Sequence, residues 1–302
     1  MSTRAPPHPR ELHRRLHGQA LIDALFKVTG PLTRPVTAQV ERLWLEGLAR
    51  PGLSRAAGRF ADLRLPRPVL GRLIDAFIRL YDIDIAEIAE PIASFATLNA
   101  FFTRALRPGV RPIDLRPEVL VSPADACLKS FGTVDPRGRI PEVKGRTYAL
   151  SQLLGEHVPA EPYLGGTYAV LYLSPRDYHR VHAPAAATVT TLAPHDGASY
   201  PVNALAVRRV EGLFVKNKRL VFGLHTNDFG TLGLVMVGAT NVGRITTKLA
   251  RGACVERGAE LGVFNLGSTV VLVCPRASGL AVLPTLHEGE AIRVGTGLLA
   301  RR

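Results

Sequence analysis

An α+β fold, with short amphipathic helices at the front of the chain and a β-rich, mainly antiparallel domain behind them, is predicted by three observations. Between Gln19 and about Tyr81, apolar residues recur at helical spacing and prolines interrupt them. Beyond about residue 118 the pattern changes to short β-branched or apolar runs separated by Gly, Pro and Asn. At 302 residues and 46% hydrophobic content, the chain can bury one large core or two modest ones.

The first eighteen residues, rich in Pro, His and Arg, read as a mobile basic arm. The region 19–117 follows, with apolar groups at Leu21, Ile22, Leu25 and Phe26, then Val40, Leu43, Trp44 and Leu48, then Leu70, Leu73, Ile74, Phe77 and Ile78. Arginines border these faces, and the segment ERLWLEGLAR could lie at a lipid headgroup boundary. Pattern alone leaves open whether the faces pack on lipid or on the protein's own core. In SFATLNAFFTRALRPG, Ser94 or Thr97 is placed to cap a short helix carrying Leu98, Phe101 and Phe102, and a loop rich in Pro and Arg comes next. The domain 118–302 is read from the strand-like runs VLVSPAD, GTYAVLYL, ATVTTLA, GLFVKN, RLVFGLHT, TLGLVMVGAT and STVVLVC.

The net charge is +13, and residues 1–80 hold 14 Lys/Arg against 6 Asp/Glu. The front of the chain therefore seeks anions, and nucleic acid and anionic lipid both satisfy that demand. No zinc finger, helix-turn-helix or aromatic RNA-binding signature accompanies the charge, so nucleic acid is not expected as a partner. No run of eighteen uncharged apolar residues and no secretory signal are present, so neither a spanning helix nor export is predicted. Cys127, Cys254 and Cys274 stand far apart and suggest neither a zinc ribbon nor a disulfide framework.

Three stretches could carry chemistry. In YLSPRDYHRVHAP, Ser174, Pro175 and Asp177 form a helix-start signature, which predicts a short helix with His179 and His182 on one face and Tyr172 on the preceding strand. Such a pair could be metal ligands, an acid/base pair or two solvated residues, and no third ligand at zinc spacing presents itself. In VFNLGSTVVLVC, Gly267-Ser268 is the only Gly-Ser dipeptide of the chain and precedes a strand-like run. It reads either as a turn into a buried strand or as a strained backbone that lets the serine hydroxyl reach its own preceding carbonyl. In VSPADACLKSFG, Asp125 follows a strand and a proline, and is a turn residue unless a histidine and a serine join it.

The segments LNAFFTRALRPGVRPID, VSPADACLKSFG, VKGRTYALSQLLG, YLSPRDYHRVHAP, GLFVKNKR, VGATNVG and ELGVFNLGSTVV, in this order, resemble the bacterial phosphatidylserine decarboxylases from about Tyr81 to Val273. The resemblance implies that Asp125, His182 and Ser268 form a self-processing triad that cuts between Gly267 and Ser268, giving a β chain (1–267) and an α chain (268–302). It implies that Ser268 becomes a pyruvoyl group, the cofactor, with no metal. It also implies that His179, as proton donor titrating near neutrality, and Tyr172 serve the decarboxylation of phosphatidylserine to phosphatidylethanolamine, and that Asn203 lies near the headgroup. Docking on an anionic membrane surface follows from it, as a monotopic protein at the cytoplasmic face of the cell membrane and a homodimer of αβ units. The chain departs from the family at Ala126, where glycine is usual, at Pro201 in place of a serine, and at Leu261 in place of a methionine. A serine hydrolase using the same three residues on an intact chain is the rival, and GxSxG is absent around Ser268.

Overall fold

A computed structural model describes residues 59–141, 147–200, 202, 204–239, 244–265 and 268–301. The basic arm and the first two amphipathic segments lie outside these residues, as do Pro201, Asn203 and Gly267. The third segment is a helix, α1 (Arg67–Tyr81), which buries Leu70 and Ile74 and ends at Asp82 in the left-handed conformation. Helix α2 (Leu98–Phe102) starts at Thr97, whose hydroxyl accepts from the Ala100 N–H at 3.0 Å. The two helices share a small core of Leu70, Ile74, Ile83, Ile88, Phe95 and Phe101. The Phe101 ring meets Phe95 and Phe77 edge-on, at centroid separations of 5.4 and 6.1 Å.

The rest is β-rich. In chain order the strands are β1 (Val119–Val121), β2 (Ala126–Thr133), β3 (Arg139–Pro141), β4 (Thr147–Ala149), β5 (Thr167–Leu173), β6 (Arg180–His182), β7 (Ala187–His195) and β8 (Arg219–Thr226). They continue as β9 (Gly230–Gly238), β10 (Ile245–Thr246), β11 (Cys254–Val255), β12 (Glu260–Phe264), β13 (Ser268–Cys274), β14 (Leu280–Val282), β15 (Ala291–Ile292) and β16 (Gly297–Arg301). An eight-stranded antiparallel sheet runs in the order β11-β7-β8-β9-β13-β5-β2-β15, and three smaller sheets, β1-β16-β14, β10-β12-β6 and β3-β4, surround it.

Strand β13 explains why STVVLVC is apolar throughout. Successive side chains of a strand point to opposite faces. Val270, Leu272 and Cys274 enter one core with Leu171, Leu234 and Phe264, while Val271 and Val273 enter the other with Val170, Val235 and Leu154. The sheet is thus covered on both faces, and β13 is locked between β5 and β9 by a register that sets Ser268 against Leu173 and Gly238. Gly233 belongs to the same packing: a Cβ there would stand 2.6 Å from a Val273 methyl.

Two local expectations are corrected. The helix expected from Ser174 is a turn followed by β6. The Asp177 carboxylate accepts from both the Ser174 N–H and the Ser174 hydroxyl, each at 2.7 Å, closing the turn on itself, and β6 then pairs with β12. The strand expected at GLFVKN is a one-turn helix, α5 (Leu213–Lys216), after α3 (Leu150–Leu154) and α4 (Ala204–Arg209). Arg219 draws the chain in there by donating to the Val215 carbonyl at 2.6 Å and the Leu153 carbonyl at 2.7 Å.

Candidate active site

Asp125 lies in the connection between β1 and β2, where the Ser122 hydroxyl donates to the Ala124 carbonyl at 2.8 Å and folds the loop back. Its carboxylate is buried and heavily bonded. The Arg111 guanidinium donates to it through Nε (2.9 and 3.0 Å) and an Nη (2.5 Å), and the Val294 N–H donates to Oδ1 at 2.8 Å. Ala126, where the resemblance leads to the expectation of glycine, is accommodated by this backbone. Its side chain is buried in β2, and Asp82 is the only non-glycine with positive φ among the described residues.

His182 ends β6, and its backbone N–H donates to the Pro123 carbonyl at 2.8 Å, which brings the histidine to the Asp125 loop. Its Nδ1 lies 2.8 Å from the Gly258 carbonyl and its Nε2 lies 3.3 Å from the Tyr178 hydroxyl. A carbonyl can only accept, so Nδ1 carries the proton and Nε2 keeps a lone pair. Burial lowers the imidazole's pKa, which favours the neutral form that a general base needs. No hydrogen bond joins Asp125 to His182 among the described residues. The carboxylate acts on the ring as a nearby charge, opposing the effect of burial.

His179 sits on the other side of the same short segment, fully buried and stacked on Phe102 at 4.0 Å. Its Nε2 donates to the Ser174 carbonyl at 3.1 Å, and its Nδ1 has no hydrogen-bond partner among the described residues. Burial, with the nearby Arg104 charge, pushes its pKa down to about 3. The ring is therefore neutral here, and the expectation of a histidine titrating near neutrality does not describe this environment. With no helix there, His179 and His182 do not share a face: one ring stacks on Phe102 and the other meets Gly258 and Tyr178.

The serine end is built by register. The His179 carbonyl accepts from the Phe264 N–H at 2.9 Å, and Asn99 donates to the Asn265 side chain at 3.0 Å, so the chain is pinned on both counts just before Leu266. It is pinned again from Ser268 onward by β5 and β9. The Ser174–Asp177 turn links the two sides: it follows Leu173, the residue facing Ser268, and His179 holds it through the Ser174 carbonyl. Tyr172 stands one residue back, facing Thr269 on one side and Cys127 on the other, with Lys129 Nζ 5.5 Å from its ring centre. Burial raises its hydroxyl's pKa, so the phenol stays protonated.

The structure thus gathers the Asp125 loop and His182 on one side and His179, Tyr172 and the Ser268 backbone on the other, around one segment, 172–182. Sequence reasoning missed Arg111, Tyr178 and Gly258, which hold the first group. Arg111 was legible only as part of a loop rich in Pro and Arg, and a backbone carbonyl leaves no sequence signal. Among the described residues, no group of three or more His, Cys, Asp or Glu side chains is placed to hold a metal ion. None of their helices is long and apolar enough to cross a membrane.

Comparison with known proteins gives a consistent result. The family described as Phosphatidylserine decarboxylase matches residues 98–300. A protein of Azotobacter vinelandii named phosphatidylserine decarboxylase proenzyme is 39% identical over 283 residues, covering 83% of this chain and 98% of that one. One of the same name from Anaeromyxobacter sp. is 40% identical over 281 residues, covering 85% and 98%, and one from Myxococcus xanthus is 38% identical over 267 residues, covering 83% and 94%.

Proposed function

The chain belongs to the phosphatidylserine decarboxylase family, carboxy-lyases made as proenzymes, and from that premise we propose that it cuts itself between Gly267 and Ser268 and carries its cofactor at position 268. The observation that carries the reading is the anchoring of the chain on both sides of residues 266–267, with a proton-accepting histidine nitrogen, His182 Nε2, set by the Gly258 carbonyl in the connection between β11 and β12.

In this reading His182 Nε2 takes the Ser268 hydroxyl proton and the Ser268 oxygen attacks the Gly267 carbonyl, so an ester replaces the amide. Loss of the proton on the α-carbon of residue 268 then breaks the bond from Cβ to oxygen. Gly267 leaves as a carboxylate, and water replaces the nitrogen of residue 268 as ammonia. Asp125 supports the step as a fixed negative charge near the imidazolium that forms.

A pyruvoyl group at position 268 would supply an electron sink for the carbon–carbon bond that breaks when carbon dioxide leaves an amino acid headgroup. The residues present fit it. The first residue of β13 is held by strands on both sides, and His179, whose Nε2 holds the turn that follows its partner Leu173, carries on Nδ1 a buried lone pair with no hydrogen-bond partner among the described residues. His179 would move a proton there, and Tyr172, with its phenol kept protonated, is proposed to serve the same step. Asn203 is proposed as a headgroup contact on family likeness alone, as is assembly into a dimer of αβ units.

The helical front is proposed as the membrane-docking part, divided from the catalytic domain near residue 118, and docking is placed at the cytoplasmic face of the cell membrane. Phe60, Leu63, Val69 and Leu80 are each about half exposed, and Arg64, Arg67, Arg72 and Arg79 are exposed around them. Apolar side chains bordered by arginine suit an anionic bilayer, each basic group adding about 1 kcal/mol near such a surface.

Incubating the purified protein with vesicles of phosphatidylserine in phosphatidylcholine should release carbon dioxide and form phosphatidylethanolamine, less so as salt rises. Ester hydrolysis by an intact chain, with no carbon dioxide, would favour the hydrolase reading instead.

A further inference from the structure

A network around Asp125, made of residues outside the predicted triad, connects its carboxylate to Glu87 and to residues 293–294. Arg111, itself nearly buried, grips both oxygens of Asp125 and reaches Glu87 with an Nη at 2.7 Å. Glu87 accepts from Arg293 at 3.0 Å, and the next residue, Val294, donates its N–H to Asp125. Arg111 also lines a cavity of about 160 Å³ with His182, Tyr178, Gly258 and Val294, so Arg111 and the histidine border the same space. Burial opposes Arg111's charge, yet its bonds to Asp125 and Glu87 raise its pKa. The fork stays charged at any pH the enzyme meets.

We propose that Arg111 is a positioning residue of self-processing: it fixes the Asp125 carboxylate beside the His182 cavity and ties it to residues 293–294. This rests on the reading that the chain cuts itself before Ser268. Two consequences of the geometry support it. Asp125 makes no bond of its own to His182 here, so whatever field it exerts on the ring depends on where Arg111 and the Val294 N–H hold it. Residues 293 and 294 belong to the segment that cleavage would release as the α chain, whereas Glu87, Arg111 and Asp125 would stay in the β chain. The network would therefore keep the two fragments registered at the site after the bond between them is gone.

A planar fork meeting a carboxylate through two nitrogens is not replaced by an ammonium, which offers charge without the shape. Displacement of a supporting group by about 1 Å can cost about 10²-fold in rate. The test follows cleavage of freshly made Arg111→Gln and Arg111→Lys proenzymes over time on denaturing gels, with circular dichroism as the check on folding. The Gln variant should cleave about 10²-fold more slowly than wild type, and the Lys variant, which restores charge but not the fork, should fall between them at about tenfold slower than wild type.

A Gln variant that cleaves at the wild-type rate overturns the proposal, as does a folded Lys variant no faster than a folded Gln variant. Should the Gln variant fail to fold, the Lys variant decides alone: slowed cleavage supports the role and an unchanged rate removes it. Wild-type protein run alongside separates the two claims. If it does not cleave, the self-processing reading fails; if it cleaves and the variants match it, only the role of Arg111 fails.

Discussion

Ser268→Ala is expected to leave one uncut chain of 302 residues with no decarboxylase activity above background, a loss of at least about 10⁶-fold. The hydroxyl is the nucleophile of the cut and its carbon skeleton becomes the cofactor, so its removal abolishes both reactions together. The fold should survive, because the packing of β13 is carried by Thr269 to Cys274, all buried, and by backbone pairing to β5 and β9 that alanine keeps. A denaturing gel and a lipid assay on the same preparation read both outcomes. A Ser268→Ala protein that still splits would mean that another group makes the attack.

His179→Ala is expected to separate the two reactions. The variant should still be cut, since His182 rather than His179 has its Nε2 set as a base, but it should form phosphatidylethanolamine about 10²- to 10⁴-fold more slowly, the usual worth of a positioned proton-transfer group. His182→Ala should fail one step earlier and remain uncut. The environment of His179 refines its role. With Nε2–H committed to the Ser174 carbonyl and Nδ1 a bare lone pair, the neutral ring must take up a proton before it can give one. Loss of the ring also removes the stack on Phe102, so rates belong on a per-folded-molecule basis.

Much of the framework was legible from residue pattern. The runs at 167–173, 219–226, 230–238 and 268–274 are strands because their apolar residues serve both faces of one sheet, and a continuous β-branched run has few other uses. Thr97 could be read as a cap because its hydroxyl does locally what any N-cap does. The Ser174 signature misled for a tertiary reason. The cap chemistry is real, with Asp177 bonded to Ser174, but β12 recruits the following residues as a strand before a helical turn can propagate. GLFVKN misled similarly, its turn being held by Arg219 from beyond the segment.

Within the site, the histidines and Asp125 stood out as residue types. Their partners did not, because the Arg111 fork and the Gly258 carbonyl lie 14 residues before Asp125 and 76 after His182. Proximity across such separations is a property of the sheet, and no local pattern encodes it.

Intact mass of the purified wild-type protein under denaturing conditions tests the central claim most directly. Two species are expected: a fragment ending at Gly267, and one of residues 268–302 lighter by about 17 mass units, the ammonia lost, than the same peptide beginning with serine. A single full-length mass in a preparation that decarboxylates phosphatidylserine would contradict that claim.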